Sequence, residues 1–255
     1  MGEKVIITEA GNGIVEIRLN RPEKRNAVDF DVMTELEMFL HQYEHREDIR
    51  ALVLTGDGED AFCSGGDLSA FHGLKTERDA YGMLHRMGEI LYRFAVFPAP
   101  VFALINGSSV GGGCELAMAA DTRIAKAGVK MGFIQGTLSI TTGWGGASLL
   151  MERVPSAAAL EVLCSSRIYS AEECKAGGWI NHIVPASKYR EEGMKIIQQS
   201  LPDNPAVGRA YKGISVNKLM QSLLWERMEK EIKGCARLWE KEEHHLAVDR
   251  FFKKS

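Results

Sequence analysis

The sequence predicts a mixed α/β fold in which buried strands pair in parallel and helices cover them. Short apolar runs alternate with segments of helical periodicity in the first half of the chain, and glycine or proline bounds most of the runs. No internal repeat or low-complexity tract interrupts this alternation. Strands that alternate with helices are typical of layered α/β proteins with parallel strand pairing.

The first third is predicted to form strand, strand, helix and strand. Val5–Thr8 and Ile14–Leu19 are rich in β-branched residues and flank a turn at 11–13, the pattern of a hairpin. Asn26–Asp48 carries apolar residues at helical spacing. Arg50–Thr55 holds a continuous apolar run, which is typical of a strand buried on both faces.

The middle of the chain repeats this order. Gly56–Gly66 is predicted to be a loop, and Ala80–Phe97 has helical periodicity. The prolines at 98 and 100 then precede a second buried strand, Val101–Ile105. Gly107–Gly113 is predicted to be a glycine turn that leads into a helix rich in alanine, leucine and methionine.

From about Ala157 onward the pattern is almost entirely helical. Ser170 and Glu173 have the spacing of a capping box. The stretch Leu223–Ser255 is long and charged, and it carries scattered large apolar side chains. A helix with that much apolar surface suits subunit or subdomain packing.

Composition excludes several classes of protein. Lys plus Arg is 31 and Asp plus Glu is 34, for a net charge of −3, which argues against a general nucleic-acid binder. The five cysteines are odd in number and contain no C-x-x-C, so we expect reduced thiols and neither a disulfide framework nor a metal site. No apolar segment has signal-peptide or membrane-spanning character. These features predict a cytoplasmic protein without a membrane partner.

Glycine is the one compositional departure, at 26 of 255 residues against an average of roughly 7%. After the second buried strand, a glycine turn begins a helix that carries Glu115 in its first turn. Unpaired amides and the positive end of a helix dipole suit a developing anion. Alternatively, Gly111–Gly113 only permit close packing and Glu115 only interacts with the dipole.

The motifs at this turn leave a serine hydrolase as a competing interpretation. The segment contains neither a P-loop nor G-x-G-x-x-G, but Gly107, Ser109 and Gly111 match G-x-S-x-G. That motif between a strand and a helix is the context of a nucleophile elbow, so a serine hydrolase with Ser109 as nucleophile is one reading. The downstream histidines available to it are His182, His244 and His245, the last two expected on a solvated helix face.

A second glycine loop favours a different chemistry. Asp60–Leu68 follows the first buried strand much as Gly107–Gly113 follows the second. Two such loops at the same ends of two strands each supply a backbone N–H to one oxygen, and two donors on a thioester carbonyl make an oxyanion hole.

Four motifs in this order resemble the enoyl-CoA hydratase/isomerase (crotonase) superfamily. They lie at Leu19–Ala27, Ala61–Leu68, Ile105–Asp121 and Ala171–Ile180. The resemblance spans nearly the whole chain and makes the serine elbow coincidental. It implies a crotonase-like spiral of ββα units as an α/β core over residues 1–195. A helical C-terminal oligomerisation region would follow over residues 196–255.

The resemblance also implies the site. The amides of Gly66 and Gly112 would form the oxyanion hole, and Glu115 matches one of the two catalytic glutamates of the hydratases. For the lysines that the resemblance places near CoA, simple surface charge is the alternative. The CoA-binding residues implied are Lys24, Arg25, Ser64, Asp67, Leu68, Lys253 and Lys254.

The second hydratase glutamate is absent, because Gln135 occupies its position. A neutral amide cannot shuttle a proton near pH 7, so the substitution disfavours ordinary hydration. Decarboxylation of a malonyl-type acyl-CoA needs an enolate stabiliser and one proton donor but no base. Trp144 beside the next glycine turn resembles some family decarboxylases, and Thr141 and Thr142 would hydrogen-bond a polar substituent.

The expected partner is an acyl-CoA thioester, with coenzyme A entering as part of the substrate and no separate cofactor or metal. The resemblance implies a homotrimer or a dimer of trimers. A non-catalytic protein that binds acyl-CoA or a macromolecular partner is the remaining alternative.

Overall fold

The computed structural model describes residues 2–254. The strands, in chain order, are β1 (Val5–Glu9), β2 (Ile14–Leu19), β3 (Ala51–Gly56), β4 (Ala61–Cys63), β5 (Val101–Ile105), β6 (Ser108–Val110), β7 (Thr122–Lys126), β8 (Lys130–Gly132), β9 (Tyr169–Ser170) and β10 (His182–Val184). The helices are α1 (Phe30–Tyr43), α2 (Leu68–Phe71), α3 (Glu77–Ala95), α4 (Gly112–Ala119), α5 (Gly146–Arg153), α6 (Ser156–Ser165), α7 (Ala171–Ala176), α8 (Tyr189–Gln199), α9 (Pro205–Gln221), α10 (Leu224–Trp239) and α11 (Glu242–Lys254).

A six-stranded sheet in the order β1-β2-β3-β5-β7-β10 forms one layer of the core. β1 and β2 form the predicted antiparallel hairpin, and the remaining neighbours pair in parallel. All residues of β3 and β5 are buried, as expected for central strands covered on both faces. The mixed α/β class with parallel pairing is thereby confirmed.

A second sheet of very short strands, in the order β4-β6-β8-β9, corrects two sequence expectations. The segments Gly56–Gly66 and Gly107–Gly113 were predicted to be loops, but each contains a three-residue strand, β4 and β6. These strands pair in parallel, with Ala61 opposite Ser108 and Cys63 opposite Ser109. Strands this short carry too few side chains to show a period of two.

The two long N-terminal helices begin at capping residues. The Asp29 side chain accepts hydrogen bonds from the amides of Asp31 and Val32 at the start of α1, and Thr76 accepts from Asp79 at the start of α3. Such caps satisfy amides that the first helical turn leaves unpaired. As a result, α1 is shorter than the predicted helical range 26–48, and α3 begins and ends a few residues before the predicted range 80–97.

The C-terminal third contains one confirmed prediction and one correction. Ser170 and Glu173 form a capping box at the start of α7, with both reciprocal hydrogen bonds present. The stretch Leu223–Ser255 contains two helices, because α10 ends at Trp239 and α11 begins at Glu242. The boundary between a core at 1–195 and a helical region at 196–255 stays a prediction.

His244 anchors α11 to the rest of the chain. It is only 2% exposed, and its Nδ1 lies 2.8 Å from the carbonyl oxygen of Leu138. Its ring also packs against Trp239, with centroids 4.5 Å apart. The expectation of a solvated position for His244 is therefore wrong. In residues 2–254, no helix has the length and apolar character required to cross a membrane.

Candidate active site

The two glycine loops after β4 and β6 lie against each other. A Cβ built on Gly65 would stand 2.9 Å from the amide nitrogen of Gly112, and one on Gly113 would stand 1.9 Å from the carbonyl oxygen of Cys63. Gly65 also has a φ of +93°, a conformation that favours glycine. Only residues without a side chain permit this approach. It follows directly from the parallel pairing of the two strands.

The amides of Gly66 and Gly112 are both unpaired. Neither donates a hydrogen bond to another residue within the described range 2–254. Gly112 is the first residue of α4, where the amides have no partner inside the helix. Two free N–H groups on touching loops can both bind an anionic oxygen.

Glu115 lies in the first turn of α4 and is only 2% exposed. Its Oε1 accepts from Gln135 Nε2 at 2.9 Å and from the Gly143 amide at 3.3 Å. Its Oε2 accepts from the amides of Trp144 and Gly146, each at 2.8 Å. Four donors occupy the acceptor sites of this one carboxyl group.

Burial dominates the electrostatics of Glu115. Desolvation raises the pKa of its carboxyl to about 8, and the neighbouring carboxylate of Glu231 acts in the same direction. The hydrogen bonds from the Trp144, Gly146 and Gly143 amides lower it, but less. A pKa raised in this way brings the titration of Glu115 close to neutrality, where the group can transfer a proton.

Gln135 stands beside Glu115 at the start of a 3-10 turn, Gln135–Leu138. Its amide nitrogen donates to Glu115, while its buried Oε1 has no hydrogen-bond partner among the described residues. The amide does not ionise near neutral pH. One titratable carboxyl and one neutral amide therefore face each other, and their correspondence to the two hydratase glutamates stays a prediction.

Trp144 covers the glycine loops. A Cβ on Gly112 would lie 2.3 Å from Trp144 Cζ3, and one on Gly66 would lie 3.5 Å from Cζ2. The indole is buried and its backbone amide binds Glu115. Two surface cavities of about 600 and 300 Å³ lie elsewhere, between α3 and α10 and beside Asn106. The indole thus packs against the two glycines that carry the free amides.

Thr141 and Thr142, in contrast to Trp144, do not lie against the glycine loops. The Thr142 hydroxyl is buried and donates to the Glu231 carboxylate, whereas Thr141 is exposed. Of the predicted acyl-pocket residues, Trp144 lies at the loops and Thr142 is engaged by α10.

The residues predicted to bind CoA near the N-terminus are grouped with the first glycine loop. The Ser64 amide donates to the Arg25 carbonyl at 3.1 Å, and the Ser64 hydroxyl donates to the Lys24 carbonyl at 3.4 Å. The side chains of Lys24 and Arg25 are exposed, so both can reach a phosphate in solvent. Their role in binding CoA stays a prediction.

Asp67 and Leu68 begin α2 immediately after Gly66. Arg21 Nη2 donates to the Asp67 carboxylate at 2.9 Å, and Ser69 donates from both its amide and its hydroxyl. Burial alone would raise the pKa of Asp67, but these hydrogen bonds hold it below its usual value. The Asp67 side chain is therefore committed to the fold of the loop, and Leu68 is half-buried beside it.

The end of α11 approaches this region from the opposite end of the chain. The Phe252 ring meets His72 edge-on, with centroids 6.3 Å apart, just beyond α2. The neighbouring Lys253 is exposed. The side chain of Lys254, also predicted to meet CoA, lies outside the described residues.

The alternative nucleophile, Ser109, lies within β6. Its hydroxyl is buried and has no hydrogen-bond partner in the described part of the chain. His182 is exposed on β10 and His244 is bound to the Leu138 carbonyl. None of the three candidate histidines, His182, His244 and His245, is hydrogen-bonded to the Ser109 hydroxyl, so the geometry does not support a serine elbow.

Sequence reasoning missed two charged residues of this site, Arg21, which is buried, and Glu231, which is half-buried. Arg21 bridges Asp67 and Asp29 and donates to the Ala27 carbonyl at 2.6 Å. It lies within the first motif, which gave no reason to separate it from its neighbours. Glu231 on α10 binds the segment that holds Glu115. Its position on the apolar face of its helix was the available signal.

The chain is similar to known proteins of one family. A family profile described as Enoyl-CoA hydratase/isomerase matches residues 9–255. The chain is 31% identical to an ethylmalonyl-CoA decarboxylase from Xenopus laevis, covering 91% of this chain and 79% of that protein. It is 27% identical to a short-chain-enoyl-CoA hydratase from Clostridium acetobutylicum, covering 98% and 95%.

A solved structure extends the comparison to three dimensions. The enoyl-CoA hydratase from Bacillus anthracis superposes with a TM-score of 0.80 at 27% identity, over 98% of this chain and 96% of that one. With the family profile covering almost the full length, the chain belongs to the enoyl-CoA hydratase/isomerase family.

Proposed function

We propose that this enzyme stabilises a thioester enolate of an acyl-CoA, with Glu115 as its single acid/base. The amides of Gly66 and Gly112 hold the thioester oxygen, and each such donor in a dry site contributes roughly 2.7–4 kcal/mol of transition-state stabilisation. One observation carries the proposal. Glu115 is buried, with a pKa raised to about 8, opposite a neutral Gln135.

The reaction that these groups fit best is decarboxylation of a malonyl-type acyl-CoA. The bond between the α-carbon and the substrate carboxylate breaks, carbon dioxide leaves, and the electron pair becomes the enolate. Glu115 then gives its proton to the α-carbon, and solvent reprotonates it. No group has to act as a base. The chain is similar both to an ethylmalonyl-CoA decarboxylase and to a short-chain-enoyl-CoA hydratase, and the neutral Gln135 beside Glu115 is what favours decarboxylation.

Gln135 can form a hydrogen bond to Glu115 in either protonation state of the carboxyl group. While Glu115 is ionised, Gln135 Nε2 donates to it. When Glu115 is protonated, reversal of the terminal amide presents the unpartnered Oε1 to the new O–H. An amide has both a donor and an acceptor on one planar group, whereas a second carboxylate would repel the ionised form.

Coenzyme A enters with the substrate, and no further cofactor or metal takes part. The implied contacts are the loop around Ser64 and Leu68, the exposed cations Lys24 and Arg25, and Lys253 and Lys254 at the end of α11. The cytoplasmic location expected from the sequence belongs to the same proposal, and the five unpaired thiols support a reducing compartment.

A panel of CoA thioesters tests the reaction. We expect carbon dioxide release from methylmalonyl- or ethylmalonyl-CoA and slow hydration of crotonyl-CoA. Hydration of crotonyl-CoA near the diffusion limit, with no release of carbon dioxide, would contradict the decarboxylase assignment.

The same panel separates the alternatives of other classes. Retention on a CoA affinity matrix without turnover of any thioester would indicate a binding protein. Labelling of Ser109 by a fluorophosphonate would indicate a hydrolase.

A further inference from the structure

Glu231 is a carboxylate on the buried face of α10. Met228, Ile232 and Cys235 share that face, and all three are buried in the core. A charged group in such surroundings is strongly destabilising unless polar partners satisfy it. The position of Glu231 therefore calls for a specific set of donors.

Four donors surround this carboxylate. Its Oε1 accepts from the Thr142 hydroxyl and from the Ala147 amide at 3.0 Å. Its Oε2 accepts from the amide and the hydroxyl of Ser148, each at 2.8 Å. Within residues 2–254, no cationic side chain forms an ion pair with it. Two of its donors are first-turn amides of α5, where a negative charge is favourable.

Glu115 takes the neighbouring donors of the same segment. The amides of Gly143, Trp144 and Gly146 bind Glu115, while Thr142, Ala147 and Ser148 bind Glu231. Two carboxylates thus divide the donors of the single segment Thr142–Ser148. If the residues of this segment that bind Glu231 move, the amides of the same segment that bind Glu115 move with them.

We infer that Glu231 is a positioning residue for Glu115, which fixes the segment Thr142–Ser148 from α10 and places a second negative charge beside the proton-donating group. The inference rests on the proposed acid/base role of Glu115. It assigns to the C-terminal helices a part in the chemistry, because α10 supplies the residue that completes the environment of a side chain on α4.

The charges around the pair agree with this role. Burial is the main cause that raises the pKa of Glu115, and Glu231 is the second. Burial also raises the pKa of Glu231, against the effect of its four donors. Cys235 on α10 lies near both carboxylates, and both raise the pKa of its thiol. Charged groups on α10, α3 and α5 that pair with other residues include Arg227 with Glu152, Glu229 with Lys233, and His85 with Glu89.

The test is a direct titration of the Glu115 carboxyl by ¹³C NMR of glutamate-labelled protein, assigned by its loss in Glu115→Gln. In Glu231→Gln we expect the titration midpoint to fall by on the order of one pH unit, because a like charge is removed. Glu229→Gln is the matched control on the same helix, since Glu229 binds Tyr81 and Lys233 instead. Its midpoint should equal that of the unaltered protein.

The kinetics should follow the titration. The pH profile of kcat/KM in Glu231→Gln should shift with the NMR midpoint, whereas a loss of kcat with an unmoved midpoint would mean a purely structural role and overturn the inference.

A second variant applies if Glu231→Gln does not fold. Glu231→Asp keeps the charge and is expected to keep the midpoint while lowering kcat. A shifted midpoint in Glu231→Asp would also overturn the inference. The NMR titration measures the interaction between Glu115 and Glu231 independently of activity. Full activity in Glu115→Gln would therefore refute the proposed function but not this inference.

Discussion

The side-chain nitrogen of Gln135 donates to Oε1 of Glu115 over 2.9 Å, and the oxygen of the same amide is buried without a partner. This pair therefore consists of one carboxyl that titrates and one amide that does not. The proposed decarboxylation depends on this relationship, because only one of the two groups can release a proton near pH 7. It also makes the consequences of changing either residue specific enough to measure.

Glu115→Gln should abolish most of the turnover. A positioned acid/base contributes roughly 10²–10⁴ to the rate, so kcat is expected to fall by that factor on the preferred thioester. Gln keeps the size of the side chain but carries no transferable proton. Steady-state kinetics checks the loss, and circular dichroism checks that the fold is retained. Undiminished activity would remove Glu115 from the mechanism.

The activity should depend on pH through the protonated form of Glu115. Because its pKa is raised to about 8, the acid form predominates below that pH and is lost above it. A plot of kcat/KM for decarboxylation should be level near neutrality and fall about tenfold per pH unit well above pH 8. A profile that instead rises through pH 8 would show that the ionised form is the active one.

Local signals made part of this molecule predictable. The capping box of Ser170 and Glu173 needs only a three-residue spacing, and the buried strand Val101–Ile105 needs only an apolar run. Both match the structure. The strands β4 and β6 have three residues each and are held by pairing across more than forty positions. No local pattern records such pairing.

The site was predictable to the extent that its residues follow one another in a motif. Glu115 and the glycines of both loops lie in such motifs. The partners of Glu231 lie 83 to 89 positions away. Its place among the apolar residues of α10 indicates burial, but no local pattern records which donors it meets. His244 was assigned to solvent because its helix is charged, and its contact with Leu138 joins residues 106 positions apart.

Gln135→Glu should move the enzyme towards hydration. A second carboxyl supplies the base for water that is missing, so crotonyl-CoA hydration is expected to rise by roughly 10²-fold or more. The like charge should also raise the pKa of Glu115 further and shift its pH profile upward. Gln135→Met is the matched control, since it keeps the length and loses the amide. If Gln135→Glu hydrates no faster than Gln135→Met, the missing acid is not what limits hydration.

The exposed face of α9 should lie in a subunit contact. Val207, Tyr211 and Ile214 share this face at helical spacing, with Tyr211 71% and Ile214 67% exposed. Apolar surface of this kind marks an interaction site. We expect sedimentation equilibrium to give a trimer or a hexamer of the 28.2 kDa chain, and Tyr211→Glu with Ile214→Glu to shift it to smaller species. Met38→Glu, at an exposed site on α1, is the control. A monomer in the unaltered protein would contradict the assembly.

Gly112→Ala should disable the oxyanion hole through Trp144. The added Cβ would lie 2.3 Å from the indole, so Trp144 or the start of α4 must move. Overpacking of this kind destabilises by about 1–3 kcal/mol, and misplacing one oxyanion donor lowers kcat by roughly 10²–10³. Gly234→Ala is the matched control, because a Cβ on this α10 residue meets nothing within 4 Å. It should leave kcat unchanged and stabilise the fold by roughly 0.5–1 kcal/mol. Kinetics and chemical denaturation of both variants check this, and a Gly112→Ala enzyme with full kcat would place the thioester oxygen elsewhere.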